Sequence, residues 1–373
     1  MQKINDTKRK VVSIFSGIDV LSLGFEKNNF NVVAAVEIEK NACETLKANK
    51  EKYHPYMEII NDSVFNISDE KIQSYQGIDG LIGGAPCQPF SRAKGAFDEK
   101  DEKISCFFEY LRWVKLINPK WFVMENVKAL TDKDKKYILD EFIDRASSLG
   151  YKVQYKILNS HDYGNCQKRE RIIIVGVRYN LNIEYSYPTV IEKSKRKYVK
   201  DIIVPNEDIG ECVFYSKERA DIMSYIPQGG NWRSLKGKHE DILKKAMGAN
   251  YTKIQGGMTG AYRRLSLEDG YACPTLVTSP CQRNTLACHP LEDRPLSIKE
   301  YMRGQGIPDD YIIKGKVTEK YKFIGNAVPY ELSFAIAKSI SDSLYDNTHN
   351  HIDYFTNKIS IIEDINNQLK FNL

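Results

Sequence analysis

The first half of the chain alternates short apolar runs with segments of helical periodicity. The runs are rich in Val, Ile and Phe, which favour β-strands, and polar or small residues follow them. The strand candidates are residues 10–15, 32–36, 80–84, 121–124 and 171–177. The helix candidates, with apolar residues three or four positions apart, are residues 21–28, 41–49, 107–116 and 138–149. This alternation predicts an α/β fold with an open parallel sheet, in which ligands bind beyond the carboxyl ends of the strands.

The pattern changes after about residue 185. Glycine clusters at residues 228–232 and 255–260, together with frequent turn residues, predict a second and loop-rich domain. A chain of 373 residues has room for two domains. The expected division is a first domain at residues 1–186, a smaller domain at 187–315 and a C-terminal segment at 316–373 that returns to the first domain.

Composition narrows the class of protein. The 54 Lys and Arg against 49 Asp and Glu leave a net charge of +5, which permits a nucleic-acid partner without requiring one. No apolar stretch has membrane-spanning length, and the polar N-terminus lacks the apolar core of a signal peptide, so we expect a cytoplasmic protein. None of the eight Cys forms a Cys-x-x-Cys pair, so we predict free thiols and no metal site.

Cys87 follows the third strand candidate and lies in the sequence Pro86-Cys87-Gln88-Pro89. Proline fixes its own backbone and restricts the residue before it, so this turn is stiff. A stiff turn suits a nucleophile that must meet its target at a defined angle. The alternative is a buried structural thiol, which is the commonest fate of a free Cys.

Charged residues border two further strand candidates. Glu125 follows the run 121–124, where a raised pKa would make it a general acid; the alternative is a helix cap or a surface carboxylate. Alternation along a strand predicts that Arg169 and Arg171 share one face. Two Arg on one face suit recognition of a phosphate or a carbonyl group, and the alternative is a pair of charges that protects a sheet edge.

The first strand candidate ends in Phe15-Ser16-Gly17, and Glu37 ends the second, 20 residues after Gly17. A Gly at a strand-to-helix turn lets backbone N–H groups approach a ligand, although the full Gly-x-Gly-x-x-Gly spacing is absent. An acidic residue at the position of Glu37 is well placed for ribose hydroxyls. Together these residues indicate a nucleoside-containing cofactor beside a Cys and a Glu.

Taken in order, these segments resemble the signature motifs of the cytosine carbon-5 DNA methyltransferase family. The matching blocks are Phe15-Ser16-Gly17, Pro86-Cys87-Gln88, Glu125-Asn126-Val127, Gln167-x-Arg169-x-Arg171, Arg294 to Glu300 and Gly325-Asn326-Ala327-Val328. The resemblance runs from about residue 11 to 335. It implies a Rossmann-like sheet that binds S-adenosylmethionine, a target-recognition domain within 187–315, and methyl transfer to carbon-5 of a cytosine flipped out of duplex DNA.

The resemblance also implies a role for each matching residue at the target base. Cys87 would be the nucleophile that adds to carbon-6 of the cytosine. Glu125 would contact ring nitrogen 3 and the amino group, and Arg171 the carbonyl oxygen, with Arg169 supporting that site. The protein would act on double-stranded DNA as a monomer, with a separate restriction endonuclease as its partner in a bacterial or phage restriction–modification system.

The same resemblance implies the cofactor contacts. Phe15 would lie against the adenine, Glu37 would bind the ribose, and Asp62 would bind the adenine amino group. Asn326 would approach from the C-terminal segment. The complete implied set is Phe15, Gly17, Ile18, Glu37, Ile38, Asp62, Ser63, Pro86, Asn326 and Ala327.

The chain departs from the family pattern at three places. Asp19-Val20 stands where the family usually has two Gly, and we expect a carboxylate there to repel the carboxylate end of the cofactor unless it points away. Ile38 replaces a Trp, so an aliphatic contact replaces stacking on the adenine. Cys106 replaces an aliphatic residue beside the cofactor.

Two alternative functions remain open from the sequence: a tRNA cytosine-5 methyltransferase, and a non-catalytic DNA-binding homologue impaired at Asp19. A zinc deaminase is excluded because no His-x-Glu with a Cys-x-x-Cys is present. The basic run 193–197 is most simply a solvated surface. The Arg residues that could read guanine or contact phosphate are Arg233, Arg263, Arg264 and Arg283.

Overall fold

A computed structural model describes residues 8–86, 102–204, 208–247, 262–281 and 287–345. Cys87 and Arg283 lie outside these ranges, as do residues 346–373 of the expected C-terminal segment. None of the helices in the described ranges combines the length and the apolar content that a membrane crossing needs.

Seven strands form one sheet, and four shorter ones pair in twos. The strands are β1 (Arg9–Ile14), β2 (Phe30–Glu37), β3 (Glu58–Asn61), β4 (Gly80–Gly83), β5 (Trp121–Val127), β6 (Tyr151–Asn159), β7 (Gln167–Lys168), β8 (Glu170–Arg178), β9 (Arg263–Arg264), β10 (Cys273–Pro274) and β11 (Ala287–Cys288). The order in the large sheet is β3-β2-β1-β4-β5-β8-β6. The small pairs are β7 with β10 and β9 with β11.

The helices connect the strands and return at the C-terminal end of the described chain. They are α1 (Val20–Glu26), α2 (Lys40–Tyr53), α3 (Asp69–Gln73), α4 (Glu102–Ile117), α5 (Lys136–Ser148), α6 (Lys217–Ser224), α7 (Glu240–Met247), α8 (Ile298–Gly304), α9 (Val317–Asn326) and α10 (Tyr330–Leu344).

The predicted α/β fold with an open, Rossmann-like sheet is confirmed. Strands β3, β2, β1, β4 and β5 run parallel, with β1 paired to β2 and β4. Because parallel neighbours need a crossover connection, helices lie between them in the chain. The carboxyl ends of these strands therefore meet along one edge of the sheet.

The expectation of a wholly parallel sheet is wrong at one end. Strand β8 runs antiparallel to both β5 and β6. No α-helix separates β6 from β8, and without a helical crossover two neighbouring strands pair as an antiparallel hairpin. Antiparallel strands at the end of a parallel sheet are common in doubly wound folds.

Apolar side chains cover both faces of the sheet. On one face Phe107, Tyr110 and Trp113 of α4 and Phe142 of α5 pack against the strands. On the other face α1 and α10 pack so closely that a Cβ on Gly24 would lie 2.5 Å from the backbone N of Phe334. Each fully buried large apolar side chain contributes about 1.5–3 kcal/mol, so these two layers hold the strand ends in place.

The region after β8 has cores of its own. Ile222, Met223, Trp232 and Leu235 form a cluster around α6 and α7. A larger cluster joins residues of this region, such as Leu276 and Tyr301, to Ile18 and Val20 at the turn after β1. This region is therefore packed directly on the strand-end edge of the sheet.

Candidate active site

A cavity of about 1110 Å³ lies beyond the carboxyl ends of β1, β2, β4 and β5. Pockets for one small ligand are typically roughly 300–1,000 Å³, so this cavity has room for two ligand groups. The residues implied by the sequence line it: Phe15, Gly17, Ile18, Glu37, Ile38, Asp62, Ser63, Pro86, Glu125, Arg169, Arg171, Asn326 and Ala327. Its walls come from the strand ends of the large sheet and from residues 275–278 and 322–328.

The turn from β1 into α1 forms one wall of the cavity. Phe15 and Gly17 both have positive φ angles, of 53° and 57°. A positive φ is disfavoured for residues with a Cβ, so surrounding contacts must hold Phe15 in this conformation. The N–H of Ser16 donates to the carbonyl of Val36 (3.2 Å), which ties the turn to the end of β2. Ile18 follows with its side chain buried and its carbonyl accepting from Tyr311 (2.9 Å).

Glu37 is fixed by backbone groups on both oxygens. Its Oε2 accepts from the N–H of Gly17 (2.7 Å), and its Oε1 accepts from the N–H of Glu39 (2.8 Å). Burial raises the pKa of Glu37, and the two backbone donors act in the opposite direction. A carboxylate has about four acceptor positions, so this one retains capacity for two hydroxyl donors from the cavity.

Asp62 and two apolar side chains form the next part of the wall. The Oδ1 of Asp62 accepts from the N–H of Ser63 (2.7 Å) and from Asn66 (2.8 Å), and no described residue donates to Oδ2. Ile38 and Phe65 line the same cavity although they are 66% and 44% exposed. Large exposed apolar side chains beside an unused hydrogen-bond acceptor suit the binding of an aromatic heterocycle that carries an amino group.

Phe65 was missed by the sequence analysis. It lies three residues after Asp62 in the sequence. That position alone does not distinguish it from a Phe of the hydrophobic core. In the structure it supplies an aromatic ring to the part of the cavity where Ile38 supplies none.

Asp19 lines the cavity, and its carboxylate is held by hydrogen bonds from within the protein. Its φ angle is 51°, and its carboxylate caps α1 by accepting from the backbone N–H and the hydroxyl of Ser22. Ser13 donates to it as well (3.0 Å), and the residue is 2% exposed. Burial raises its pKa, while His54 and the two hydroxyls lower it. The positive φ explains why Gly is favoured at this position, and the hydrogen bonds from Ser13 and Ser22 engage both carboxylate oxygens.

Glu125 and Arg171 form an ion pair at the other end of the cavity. The Oε1 of Glu125 lies 2.8 Å from the Nε of Arg171, and the side chains are 11% and 14% exposed. Gly84 leaves room for the Glu125 side chain, since a Cβ on Gly84 would lie 2.9 Å from the Oε2 of Glu125. Sequence analysis placed Glu125 after a strand, but β5 continues to Val127 because β8 pairs with it there.

Asn126 is a second residue whose role the sequence did not reveal. It is buried, and its Nδ2 donates to the carbonyl of Ala85 (3.4 Å) while its Oδ1 accepts from the N–H of Val127 (2.8 Å). It therefore ties the segment that ends at Pro86 to β5. Pro86 is followed in the chain by Cys87, which lies outside the described residues.

Arg169 is a buried part of the cavity wall, and its guanidinium binds backbone carbonyls. Its guanidinium donates to Leu276 (3.1 Å) and to Gly325 (2.9 Å), and the residue is 2% exposed. Leu276 belongs to the smaller domain and Gly325 to the last turn of α9. Arg169 therefore joins two walls of the cavity, whereas Arg171 faces into it beside Glu125.

The remaining wall comes from two segments of the chain. Residues 275–278 line the cavity, and Asn326 and Ala327 line it at the end of α9. Lys322 lies at its edge, where it forms an ion pair with Glu39 (2.7 Å). Cys106 of α4 lines the cavity as well.

Two basic features of the sequence are used within the fold. In the run 193–197, Arg196 pairs with Asp162 and Lys197 pairs with Glu331, at 2.7 and 2.8 Å. Arg264 is 6% exposed and donates to backbone carbonyls, including those of Ile226 (2.7 Å) and Met223 (2.6 Å). The suggestion that Arg264 reads guanine is therefore wrong, because its guanidinium holds the core of the smaller domain together.

Comparisons with known proteins agree with this geometry. The model of the C-5 cytosine-specific DNA methylase family matches residues 9–342. The type II methyltransferase M.PspPI of Psychrobacter sp. is 40% identical over 88% of this chain and 78% of its own length. M.Eco47II of Escherichia coli is 37% identical over 91% and 80%, and M.Sau96I of Staphylococcus aureus is 37% identical over 88% and 75%.

The fold has counterparts among solved structures. A prophage-encoded protein of Escherichia coli superposes with a TM-score of 0.65, at 23% identity, over 90% of this chain and 99% of its own. The Dnmt2 methyltransferase of S. pombe superposes with a TM-score of 0.61, at 14% identity, over 90% and 99%.

Proposed function

Since the chain belongs to the C-5 cytosine-specific DNA methylase family, we propose that it transfers a methyl group from S-adenosylmethionine to carbon-5 of a cytosine in duplex DNA. The observation that carries the proposal is the composition of one cavity. Phe15, Glu37 and Asp62, which would bind the nucleoside, line this cavity together with the Glu125–Arg171 pair.

The first set of residues fits the cofactor. Glu37 would accept the ribose hydroxyls, and Asp62 would accept from the adenine amino group through its open Oδ2. Phe15, Ile38 and Phe65 would pack on the adenine ring. When bound, S-adenosylmethionine supplies a methyl group activated by its sulfonium sulfur.

The second set fits a pyrimidine ring. Addition of the Cys87 thiolate to carbon-6 would break the aromaticity of the ring and make carbon-5 nucleophilic. Negative charge that develops toward nitrogen 3 and the carbonyl oxygen would be stabilised by the guanidinium of Arg171 and by Glu125, whose carboxylate would first have to take up a proton. After carbon-5 takes the methyl group, loss of its proton to a base and departure of the thiolate restore the ring.

A cytosine inside a duplex cannot reach this cavity without leaving the base stack. Flipping it out costs a few kcal/mol, so contacts to the surrounding duplex must offset that cost. The smaller domain, within residues 187–315, is packed at the cavity rim and would supply phosphate contacts and base readout. We also propose that a restriction endonuclease acts separately from this protein, that the protein is a monomer, and that it is cytoplasmic.

The test is methyl transfer by the purified chain. Incubation with plasmid DNA and isotope-labelled S-adenosylmethionine, followed by nucleoside mass spectrometry, should yield labelled 5-methylcytosine. Bisulfite sequencing of the plasmid should then place the label in one short sequence context. Labelled tRNA in a competition with duplex DNA would support the tRNA alternative, and cofactor binding without any transfer would support the non-catalytic one.

A further inference from the structure

Three segments of the chain meet directly behind the cavity. They are the end of β7, residues 275–278 of the smaller domain, and the last turn of α9. The segments touch closely, since a Cβ on Gly325 would lie 2.6 Å from the backbone of Val277. Residues 275–278 and Asn326 face the cavity, so this junction forms one of its walls.

Gln167 connects the first two segments through its side-chain amide. Its Oε1 accepts from the N–H of Leu276 (2.9 Å). Its Nε2 donates to the carbonyl of Gly304 (2.7 Å) and to the Oε1 of Gln305 (3.0 Å). The residue has no exposed surface, so these groups have no water to replace a lost partner.

Gln305 continues the connection to α9. While its Oε1 accepts from Gln167, its Nε2 donates to the carbonyl of Ile324 (2.7 Å), and it too is fully buried. Its backbone carbonyl accepts from the N–H of Tyr330 (2.9 Å), which fixes the start of α10. Ile324 lies two residues before Asn326, so Gln305 holds the turn that presents Asn326 to the cavity.

The backbone determines the orientation of both amides. The N–H of Leu276 must meet an oxygen, and the carbonyls of Gly304 and Ile324 must meet N–H groups. Exchanging O and N in either side chain would therefore set two donors or two acceptors against each other. The order Leu276, Gln167, Gln305, Ile324 is a directed chain of hydrogen bonds from the smaller domain to the end of α9.

We propose that Gln305 is a positioning residue for the transfer reaction. Together with Gln167 it fixes the position of the cavity wall that the bound cofactor and the target base share. The inference rests on the proposed function. In its absence the last turn of α9 and residues 275–278 lose one of the hydrogen-bonded connections between them, while Arg169 retains another. Cofactor affinity and turnover then fall together, although Gln305 itself does not line the cavity.

Gln305→Glu tests the directed chain. A protonated Glu reproduces the amide, because its hydroxyl donates to the carbonyl of Ile324 and its other oxygen accepts from Gln167. An ionised Glu would face that carbonyl with a second acceptor. The pKa of a buried Glu side chain can rise to about 8–9. The variant should therefore resemble wild type near pH 6 and lose function near pH 9.

The readout is the Kd of S-adenosylhomocysteine by calorimetry, with kcat and KM for methyl transfer to plasmid DNA. We expect the ratio of Kd values, Gln305→Glu over wild type, to rise about tenfold between pH 6 and pH 9. Gln305→Met should weaken binding about tenfold at every pH and lower kcat. The matched control is Gln154→Met, which removes a hydrogen bond from a side chain to the carbonyl of Tyr185 (2.8 Å) away from the cavity.

The outcomes separate the two proposals. If wild type binds no S-adenosylhomocysteine, the proposed function fails. If wild type binds it and both Gln305 variants match wild type at every pH, the positioning role is overturned, even if their thermal stability falls. If Gln305→Met does not fold, the pH dependence of Gln305→Glu decides alone.

Discussion

Glu125 and Arg171 lie on neighbouring antiparallel strands, where Glu125 pairs with Ile173 and Arg171 pairs with Val127. They are therefore diagonal neighbours on one face, within reach of each other's long side chains. Because strands rather than loops hold both, the ion pair is in place before any ligand binds. The sequence motifs identified both residues, but their contact required the antiparallel pairing, which the motifs do not encode.

Glu125→Gln should impair chemistry more than binding. Loss of the proton that stabilises the developing charge should lower kcat about 10²–10³-fold, while the affinity for S-adenosylhomocysteine changes little. The measurements are methyl transfer to plasmid DNA and calorimetry. The matched control is Glu109→Gln, whose ion pair with Arg112 (2.6 Å) on α4 lies outside the cavity lining. Equal losses of binding and turnover would contradict the assignment.

Asp19 combines a cap with a left-handed backbone, and variants can separate the two effects. Asp19→Ala should lose both, at a cost of about 2 kcal/mol in the free energy of unfolding. Asp19→Gly should cost about half as much, since glycine accepts the positive φ of 51°. Urea unfolding measures both.

Ser68 provides the comparison for Asp19. It caps α3 from an ordinary backbone conformation, with φ at −66°. Ser68→Ala and Ser68→Gly should therefore not show the advantage of Gly over Ala seen at Asp19. Identical behaviour at the two caps would mean that the left-handed backbone of Asp19 carries no strain.

At the scale of elements, the interior strands were predictable and the edges were not. Strands β1, β2, β4 and β5 each contain a buried run of mainly apolar residues, and such runs stand out in the sequence. Strands β3 and β6 lie at the two edges of the sheet and expose several polar residues, so their patterns resemble loops. The direction of β8 depends on its partner β6, and missing β6 therefore made the sheet appear wholly parallel.

Helix α8 begins in a buried charge cluster whose stability depends on pH. Ser297 and Glu300 form a capping box, and Arg294 and His289 contact the Glu300 carboxylate. Burial acts to raise the pKa of Glu300, but hydrogen bonds from His289, Arg294 and the N–H of Ser297 outweigh it and lower the pKa from 4.5 to about 2.

A carboxyl whose pKa is lowered in the folded state stabilises the fold above its unfolded pKa and loses this effect as the pH falls. The shift corresponds to about 3 kcal/mol, present above pH 4.5 and lost progressively toward pH 2. The difference in unfolding free energy between wild type and Glu300→Gln should therefore narrow as the pH falls from about 5 to 3 in urea unfolding. Glu51→Gln, at an exposed site on α2, is the control. A constant difference for Glu300→Gln would contradict the pKa assignment.

At the scale of the whole molecule, one cavity collects residues from Ser13 to Val328. The family motifs identified most of its walls, because each motif follows a strand or a helix end. They could not reveal Phe65 or the junction at Gln305, which depend on how distant segments pack. Cys87 follows the end of one wall, and its geometry lies outside the described residues.

Because distant segments share this cavity, ligand binding should stabilise the whole chain. S-adenosylhomocysteine at about 100 times its Kd should add about 2.7 kcal/mol and raise the Tm by a few degrees. Differential scanning calorimetry measures the shift, and methionine at the same concentration is the control. An unchanged Tm with S-adenosylhomocysteine would mean that the cavity does not bind the nucleoside.

Covalent trapping tests the central claim, that Cys87 bonds to the pyrimidine during the reaction. In a duplex with 5-fluorocytosine at the modified position, fluorine replaces the proton that must leave after methyl transfer, so the adduct should persist. Wild type and Cys212→Ser, a change outside the cavity lining, should give a protein–DNA band in denaturing gels, with the DNA attached to the Cys87 peptide. Cys87→Ser should give none. Methylation of the normal duplex by wild type without any adduct on the fluorinated one, or an adduct at another residue, would contradict the account.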